Sequence, residues 1–269
     1  MGNRKKKNSG PDAFEAYYSN LFGARWGTLK KALLEPSQQI GWEEELLEPY
    51  YLDSASVAAA RALPTGGINI LDLCAAPGGK SLVLASTVGD AGTITANEYS
   101  RDRRARLVSV LERYVPEPLR SRYSVTGNDG SRWSRYEKST RDRILLDVPC
   151  SSERHVLSSP AHLEKWSAAR IRNLSFRQWA LLSGAWLVLS PGGYLLYATC
   201  ALSPEENDGV IQKLVKKYSD VELVGIAKDK HPALVHHVPE KTEYGTIILP
   251  DTSAGSGPLY FSLVRKMEA

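Results

Sequence analysis

Three groups of residues in this chain are built for chemistry. Asp147-Val-Pro-Cys150 and Tyr197-Ala-Thr-Cys200 each put a thiol just past an apolar run. The third is Leu71-Asp-Leu-Cys-Ala-Ala-Pro-Gly-Gly-Lys-Ser81, which opens into a helical pattern. An ordinary cysteine is already a few per cent thiolate near neutral pH, so it can add to an electron-poor carbon. Carbon 5 of cytosine is too weak a nucleophile to accept a methyl group directly. A thiolate added at carbon 6 turns the ring into an enamine and makes carbon 5 reactive. A carboxylate such as Asp147 can hold the pyrimidine edge and stabilise a proton on the ring nitrogen. A second thiol can then help remove the carbon 5 proton and release the adduct, and Cys150 is the candidate. A paired base must first leave its stack, at ~a few kcal/mol. A lone buried cysteine is usually only a small apolar residue, and Cys74 reads that way.

The Asp72–Ser81 loop needs a ligand. A phosphate-binding P-loop is one rival, but Cys74 stands where its first glycine should be. Pro77 removes an N–H donor, and Asp72 would bring a carboxylate to the anion. A dinucleotide fingerprint Gly-x-Gly-x-x-Gly is absent. S-adenosylmethionine meets both objections to the P-loop, because it carries a sulfonium and an ammonium and no phosphate. Asp72 suits its positive end, and Gly78 and Gly79 allow close backbone approach. Glu98, ending the next strand, is placed for ribose hydroxyls. Asp129-Gly130, after the third strand, is placed for the adenine.

The surrounding pattern alternates short strands with helices. Strands are expected at Ile68–Leu73, Gly92–Asn97, Arg122–Thr126, Arg143–Val148 and Tyr194–Thr199. Helices are expected at Gly79–Val88, Arg101–Tyr114 and Ser167–Leu189. This implies an α/β fold with a mostly parallel sheet and helices on both faces. Both thiols then share the rim that carries the cofactor loop. Tyr244–Leu249 and Leu259–Val264 read as a closing strand pair. Ser203-Pro-Glu-Glu206 reads as a helix start with Glu206 completing a capping box and neither glutamate in catalysis. Arg154 and His155 read equally as phosphate contacts or as a solvated loop. Residues 1–12 read as a disordered basic tail, 13–62 as a short helical N-terminal segment packed on the main domain, and 63–269 as the catalytic domain.

The chain has 269 residues, 42% of them hydrophobic, with a formal net charge of +4. The length suits one large domain. The charge tolerates a polyanionic partner without demanding one. Arg4, Lys5, Lys6 and Lys7 open the chain, and further basic groups run through 101–122 and 132–143. Three scattered cysteines exclude a disulfide framework and argue against structural zinc; no metal site is expected. No apolar run is long enough to span a membrane, and no secretory signal is recognisable.

DLCAAPGGK, LLDVPCSSER and YATCALSPEEN, in that order, resemble the RsmB/Sun family of RNA cytosine-5 methyltransferases over roughly residues 50–269. The N- and C-terminal stretches FEAYYSNLFGARW and GPLYFSLVRK are most similar to its compact branch of mitochondrial rRNA and tRNA enzymes. The resemblance implies a Rossmann-like class I methyltransferase with a seven-stranded sheet whose last strand is antiparallel. It implies Cys200 as the nucleophile, Cys150 in product release and Asp147 beside them. Cofactor contacts carry over onto Ala76, Pro77, Gly78, Gly79, Lys80, Glu98, Arg103, Asp129, Gly130 and Asp147. Glu98 replaces a commoner aspartate, and Ala198 and Ala201 stand where serines are frequent. DNA cytosine methyltransferases attack with the Pro-Cys thiol, which leaves Cys150 as the rival nucleophile. The expected partner is RNA, rRNA before tRNA, with a protein or ribosomal subunit assisting a monomeric catalytic chain. The expected compartment is bacterial cytoplasm or mitochondrial matrix. A non-catalytic RNA-binding assembly factor and a nucleotide hydrolase are the competing readings.

Overall fold

The computed structural model describes residues 9–226 and 237–268. Helices α1 (Pro11–Phe22) and α2 (Trp26–Leu34) come first, then a hairpin of β1 (Gln39–Trp42) and β2 (Tyr50–Asp53), then α3 (Ser54–Arg61). The alternating core follows: β3 (Gly67–Asp72), α4 (Gly79–Leu84), β4 (Val88–Asn97), α5 (Arg101–Tyr114), α6 (Glu117–Arg120), β5 (Tyr123–Thr126) and β6 (Arg141–Asp147). Next come α7 (Glu153–Leu157), α8 (Pro160–Glu164), α9 (Ala168–Val188), β7 (Leu189–Thr199), α10 (Asp208–Lys217) and β8 (Val221–Val224). Short strands β9 (Glu240–Lys241) and β10 (Thr246–Ile248) precede β11 (Leu259–Lys266).

Strands β5-β4-β3-β6-β7 are parallel neighbours, and β11 lies antiparallel against β7. The expected antiparallel closing strand is therefore present. Among the described residues the sheet has nine strands where seven were expected. The reason lies at the far edge of β11. There β10 pairs with Leu259–Phe261 and β8 with Leu263–Lys266, so two short strands share one position. Strand β9 pairs antiparallel with β10 and forms the edge beyond it.

Strand β6 shows why the middle of the sheet forms. Its Ile144, Leu145 and Leu146 are all fully buried, as a strand covered on both faces requires. Ile144 and Leu146 pack with Leu182 and Trp186 of α9, whereas Leu145 packs with Ala55 and Ala59 of α3. Chain direction splits between β3 and β6, since β4 lies on one side of β3 and β6 on the other. Ligands in open α/β sheets bind outside the carboxyl ends of strands at such a switch point.

The N-terminal helices form a third core. Phe14, Tyr18, Trp26, Leu29 and Leu33 are buried against Trp166, Leu202 and Leu249. Each such side chain contributes ~1.5–3 kcal/mol by burial, so this stripe is packing and not a base-stacking surface. Two boundaries differ from expectation. Ser9 bridges Ser167, Gly10 N–H donates to the Trp166 carbonyl at 2.8 Å, and α1 starts at Pro11, all inside the span expected as a tail. Arg4 to Lys7 lie outside the described residues. The segment expected to be helical contains the β1–β2 hairpin, and its α3 is part of the sheet core. Among the described residues, no helix is long and apolar enough to cross a membrane.

Candidate active site

At the end of β3 the chain turns through residues 73–78 into α4. Gly78 carries a φ of +121°, and a Cβ there would lie 2.9 Å from Val110 Cγ1. Only glycine fits both demands. A Cβ on Gly79 would come 3.0 Å from the Tyr50 ring. Between the loop and the β2 hairpin lies an open cleft at the carboxyl ends of β3 and β6. Tyr50, Leu52 and Ser56 line one side; Asp72, Cys74, Ala75, Ala76, Pro77, Gly79, Lys80 and Asp147 line the rest. Pattern reading missed the hairpin side, because nothing local ties residues 50–56 to a loop twenty residues on.

Asp72 accepts a hydrogen bond from the Ser81 hydroxyl on Oδ2, while its buried Oδ1 makes none. Burial raises its carboxyl to about 7. Glu98 is also buried; Oε1 accepts from Ser100 N–H at 2.8 Å. Its Oε2 makes no hydrogen bond and lies 3.3 Å from Arg103 Nη1. Arg103 also donates to the Ala76 carbonyl at 2.7 Å, strapping the loop to α5. Asp129 accepts from Ser131 N–H at 3.0 Å and caps the turn at 130–135. Gly130 backs onto Leu181 and Leu73, where a Cβ would clash. Glu98, Arg103, Asp129 and Gly130 stand along the rim at the ends of β4 and β5 and do not line the cleft itself. Asn97 sets their spacing: its amide donates to the Leu73 and Asn128 carbonyls at 3.0 Å, and its Oδ1 accepts from Asn128 N–H at 2.9 Å.

Strands β6 and β7 deliver the thiols. Cys150 Sγ and Cys200 Sγ, fifty residues apart, lie 2.7 Å from one another as free thiols. The Cys200 sulfur and burial push the Cys150 thiol well above its ordinary value. Beside them Lys80 Nζ donates to Asp147 Oδ2 at 2.8 Å and to Ser56 Oγ at 3.1 Å. Burial works against the Lys80 charge, but Asp147 outweighs it and the ammonium is held above its usual range, with Cys200 adding to the effect. The Cys74 thiol, which lines the cleft, is raised by burial and by the neighbouring Asp72 and Asp147 carboxylates.

Two buried glutamates tie the thiol loops together, and neither was singled out for this. Glu206 Oε2 accepts from Ser151 N–H at 3.0 Å and from the Gln178 amide at 2.7 Å. Glu153 accepts from Tyr18 and Ser151 hydroxyls and, at 3.0 Å, from Leu202 N–H. The expected capping box at Ser203 is therefore not made. Helix α10 begins at Asp208 with Asn207 as its cap, and Glu206 turns inward because buried donors claim it. Arg154 is neither solvated nor available to phosphate. Its guanidinium donates to the carbonyls of Gly257, Gly255 and Glu35, the first at 2.7 Å. In the 132–143 basic group, Arg141 pairs with Glu137 at 2.8 Å and Arg143 stacks over Tyr194.

A switch-point cleft, a glycine loop after the first core strand and acidic side chains at successive strand ends define a class I, Rossmann-like methyltransferase domain. Within that class the chain belongs to the 16S rRNA methyltransferase RsmB/F family, matched over residues 62–262. It is 35% identical over 237 residues to a mitochondrial tRNA (cytosine(34)-C(5))-methyltransferase of Danio rerio, covering 86% of this chain and 63% of that protein. It is 35% identical over 234 residues to the 5-cytosine rRNA methyltransferase NSUN4 of Bos taurus, covering 82% of this chain and 60% of that one. The chain thus spans less than two thirds of either relative. A methyltransferase homologue from Pyrococcus horikoshii shares the fold, with a TM-score of 0.71 and 22% identity over 95% of both chains.

Proposed function

We propose that this chain methylates carbon 5 of cytosine in RNA, using S-adenosylmethionine and Cys200 as the attacking thiol. The observation that carries this reading is the contact of two free thiols beside the Lys80–Asp147 pair at the mouth of the cleft. The residues present fit the methyl donor. Asp72 offers a buried oxygen without a hydrogen bond to a cationic group, and Glu98 offers another to hydroxyls. The glycines at 78 and 79 leave room that a side chain would fill. When bound, S-adenosylmethionine supplies an electrophilic methyl group on sulfur.

The protein's own groups do the rest. Cys150 is held protonated by burial and by its neighbour, which leaves Cys200 to attack. The Cys200 sulfur forms a bond to carbon 6 as its thiol proton is given up, the ring nitrogen takes up a proton in exchange, and Asp147 accepts a hydrogen bond from that new N–H. Lys80 fixes Asp147 for that task. After carbon 5 is methylated, the carbon 6–sulfur bond breaks as Cys150 passes its proton to the leaving Cys200 sulfur and takes up the carbon 5 proton in its place. Asp129 and Arg103 are read as rim contacts to the cofactor.

Small-subunit rRNA is the favoured target, from the family's description. A tRNA target is the second reading, supported by equal identity to the Danio rerio enzyme. Targeting would draw on an assembling subunit or a partner protein in bacterial cytoplasm or the mitochondrial matrix. The decisive experiment compares Cys200→Ala with Cys150→Ala on in vitro transcribed rRNA. Cys200→Ala should form no 5-methylcytosine, and Cys150→Ala should accumulate an RNA adduct on Cys200, visible as a retarded band. An adduct through any other residue, or undiminished turnover by Cys200→Ala, defeats the reading.

A further inference from the structure

Ser152 stands against both sulfurs. Its Oγ lies 3.2 Å from Cys200 Sγ, 3.5 Å from Cys150 Sγ and 3.5 Å from the Cys150 carbonyl oxygen. Its backbone is left-handed, with φ 55° and ψ 61°. A residue with a Cβ seldom occupies that region, and where one does at a reactive centre, the surrounding structure enforces it. The enforcement is visible on both sides. Ser151 N–H is anchored on Glu206, and Val156 N–H bonds back to the Ser152 carbonyl at 3.0 Å. Two buried contacts thus keep a serine in a conformation that glycine would adopt without cost.

Three acceptors are in reach of the Ser152 hydroxyl hydrogen, and the Cys200 sulfur is the nearest. Once ionised it is also the strongest, since hydrogen bonds to charged acceptors are about twice as strong as neutral ones. The Cys150 S–H on the other side is a weak donor. We propose that Ser152 is a catalytic residue: its hydroxyl donates to the Cys200 thiolate, stabilising it before attack and again when it leaves carbon 6. A donor aimed at the charged form favours that form. This rests on Cys200 being the attacking thiol, but it is tested without methyl transfer.

Ser152→Gly removes the hydroxyl and accepts the left-handed backbone, so the fold is retained. Ser152→Ala removes the hydroxyl alone. Alkylation of Cys200 by iodoacetamide, followed by peptide mass spectrometry on the full chain, reads the thiolate directly. Both variants should react about five- to tenfold more slowly than wild type near neutral pH. The rates should converge as the pH is raised towards strong alkali, where ionisation no longer depends on a hydroxyl donor. Equal rates near neutral pH overturn the proposal. So does a deficit that persists undiminished at alkaline pH, which would mean altered access and not altered ionisation. Failure of the Cys200 role shows separately, as methylation by Cys200→Ala.

Discussion

Replacing Glu206 with glutamine should make the protein less sensitive to alkali. Burial, reinforced by the Glu153 charge, raises the Glu206 carboxyl from 4.5 to about 7 in the folded state. A carboxyl harder to ionise folded than unfolded weakens the fold as it ionises. Its favourable contribution is complete below the unfolded value and is lost as pH rises through about 7. Over that gap, at about 1.4 kcal/mol per pH unit, the loss reaches ~3 kcal/mol. Glutamine mimics the protonated acid and keeps a carbonyl for the Ser151 N–H and the Gln178 amide, so both loop ties survive. Urea unfolding of Glu206→Gln and wild type should give similar free energies near pH 5. By pH 8 the variant should lead by up to ~3 kcal/mol. Asp72, raised to about 7 by its own burial, bends both curves alike and cancels in the difference. Parallel curves from pH 5 to 8, or a variant that falls behind at pH 8, would refute the claim that this carboxylate is buried at a cost.

Three further outcomes follow from the site. Gly78→Ala forces a Cβ into Val110 at a φ of +121°; it should cost ~1–3 kcal/mol and weaken S-adenosylmethionine binding in calorimetry, and an unchanged affinity would separate the loop from the cofactor. Arg154→Lys cannot reproduce the fork across the Gly255, Gly257 and Glu35 carbonyls; a loss of ~2–3 kcal/mol in urea is expected, and an unchanged midpoint would show the clamp to be idle. Lys80→Met strips Asp147 of its 2.8 Å partner; radiolabelled methyl transfer to RNA should drop on the order of a hundredfold, and activity within about threefold of wild type would remove the pair from the mechanism.

Much of this molecule is written locally. The run Ile144-Leu-Leu146 reads as a strand buried on both faces, and helices between such runs impose parallel order. The Asp72–Ser81 loop announces a ligand through its glycines, while Pro77, which lacks an N–H, and the Asp72 carboxylate argue against phosphate. Cys150 and Cys200 follow strand ends, and parallel strands place their ends on one rim. Those conclusions need only neighbours in sequence, because periodicity reports which face of an element avoids water.

What the tertiary structure decided is which distant groups share a space. Tyr50, from a hairpin whose short strands carry no distinguishing period, and Ser56, from the first turn of α3, close the cleft. Glu206 reads as a helix cap, yet buried donors on Ser151 and Gln178 outbid the local bond to Ser203. Arg154 sits in a polar stretch and is claimed by carbonyls a hundred residues away. The edge position shared by β8 and β10 depends on the length of β11, not on either short strand. In each case the local sequence offers a polar group with several possible partners. Only packing, which removes water and leaves one partner within reach, selects among them.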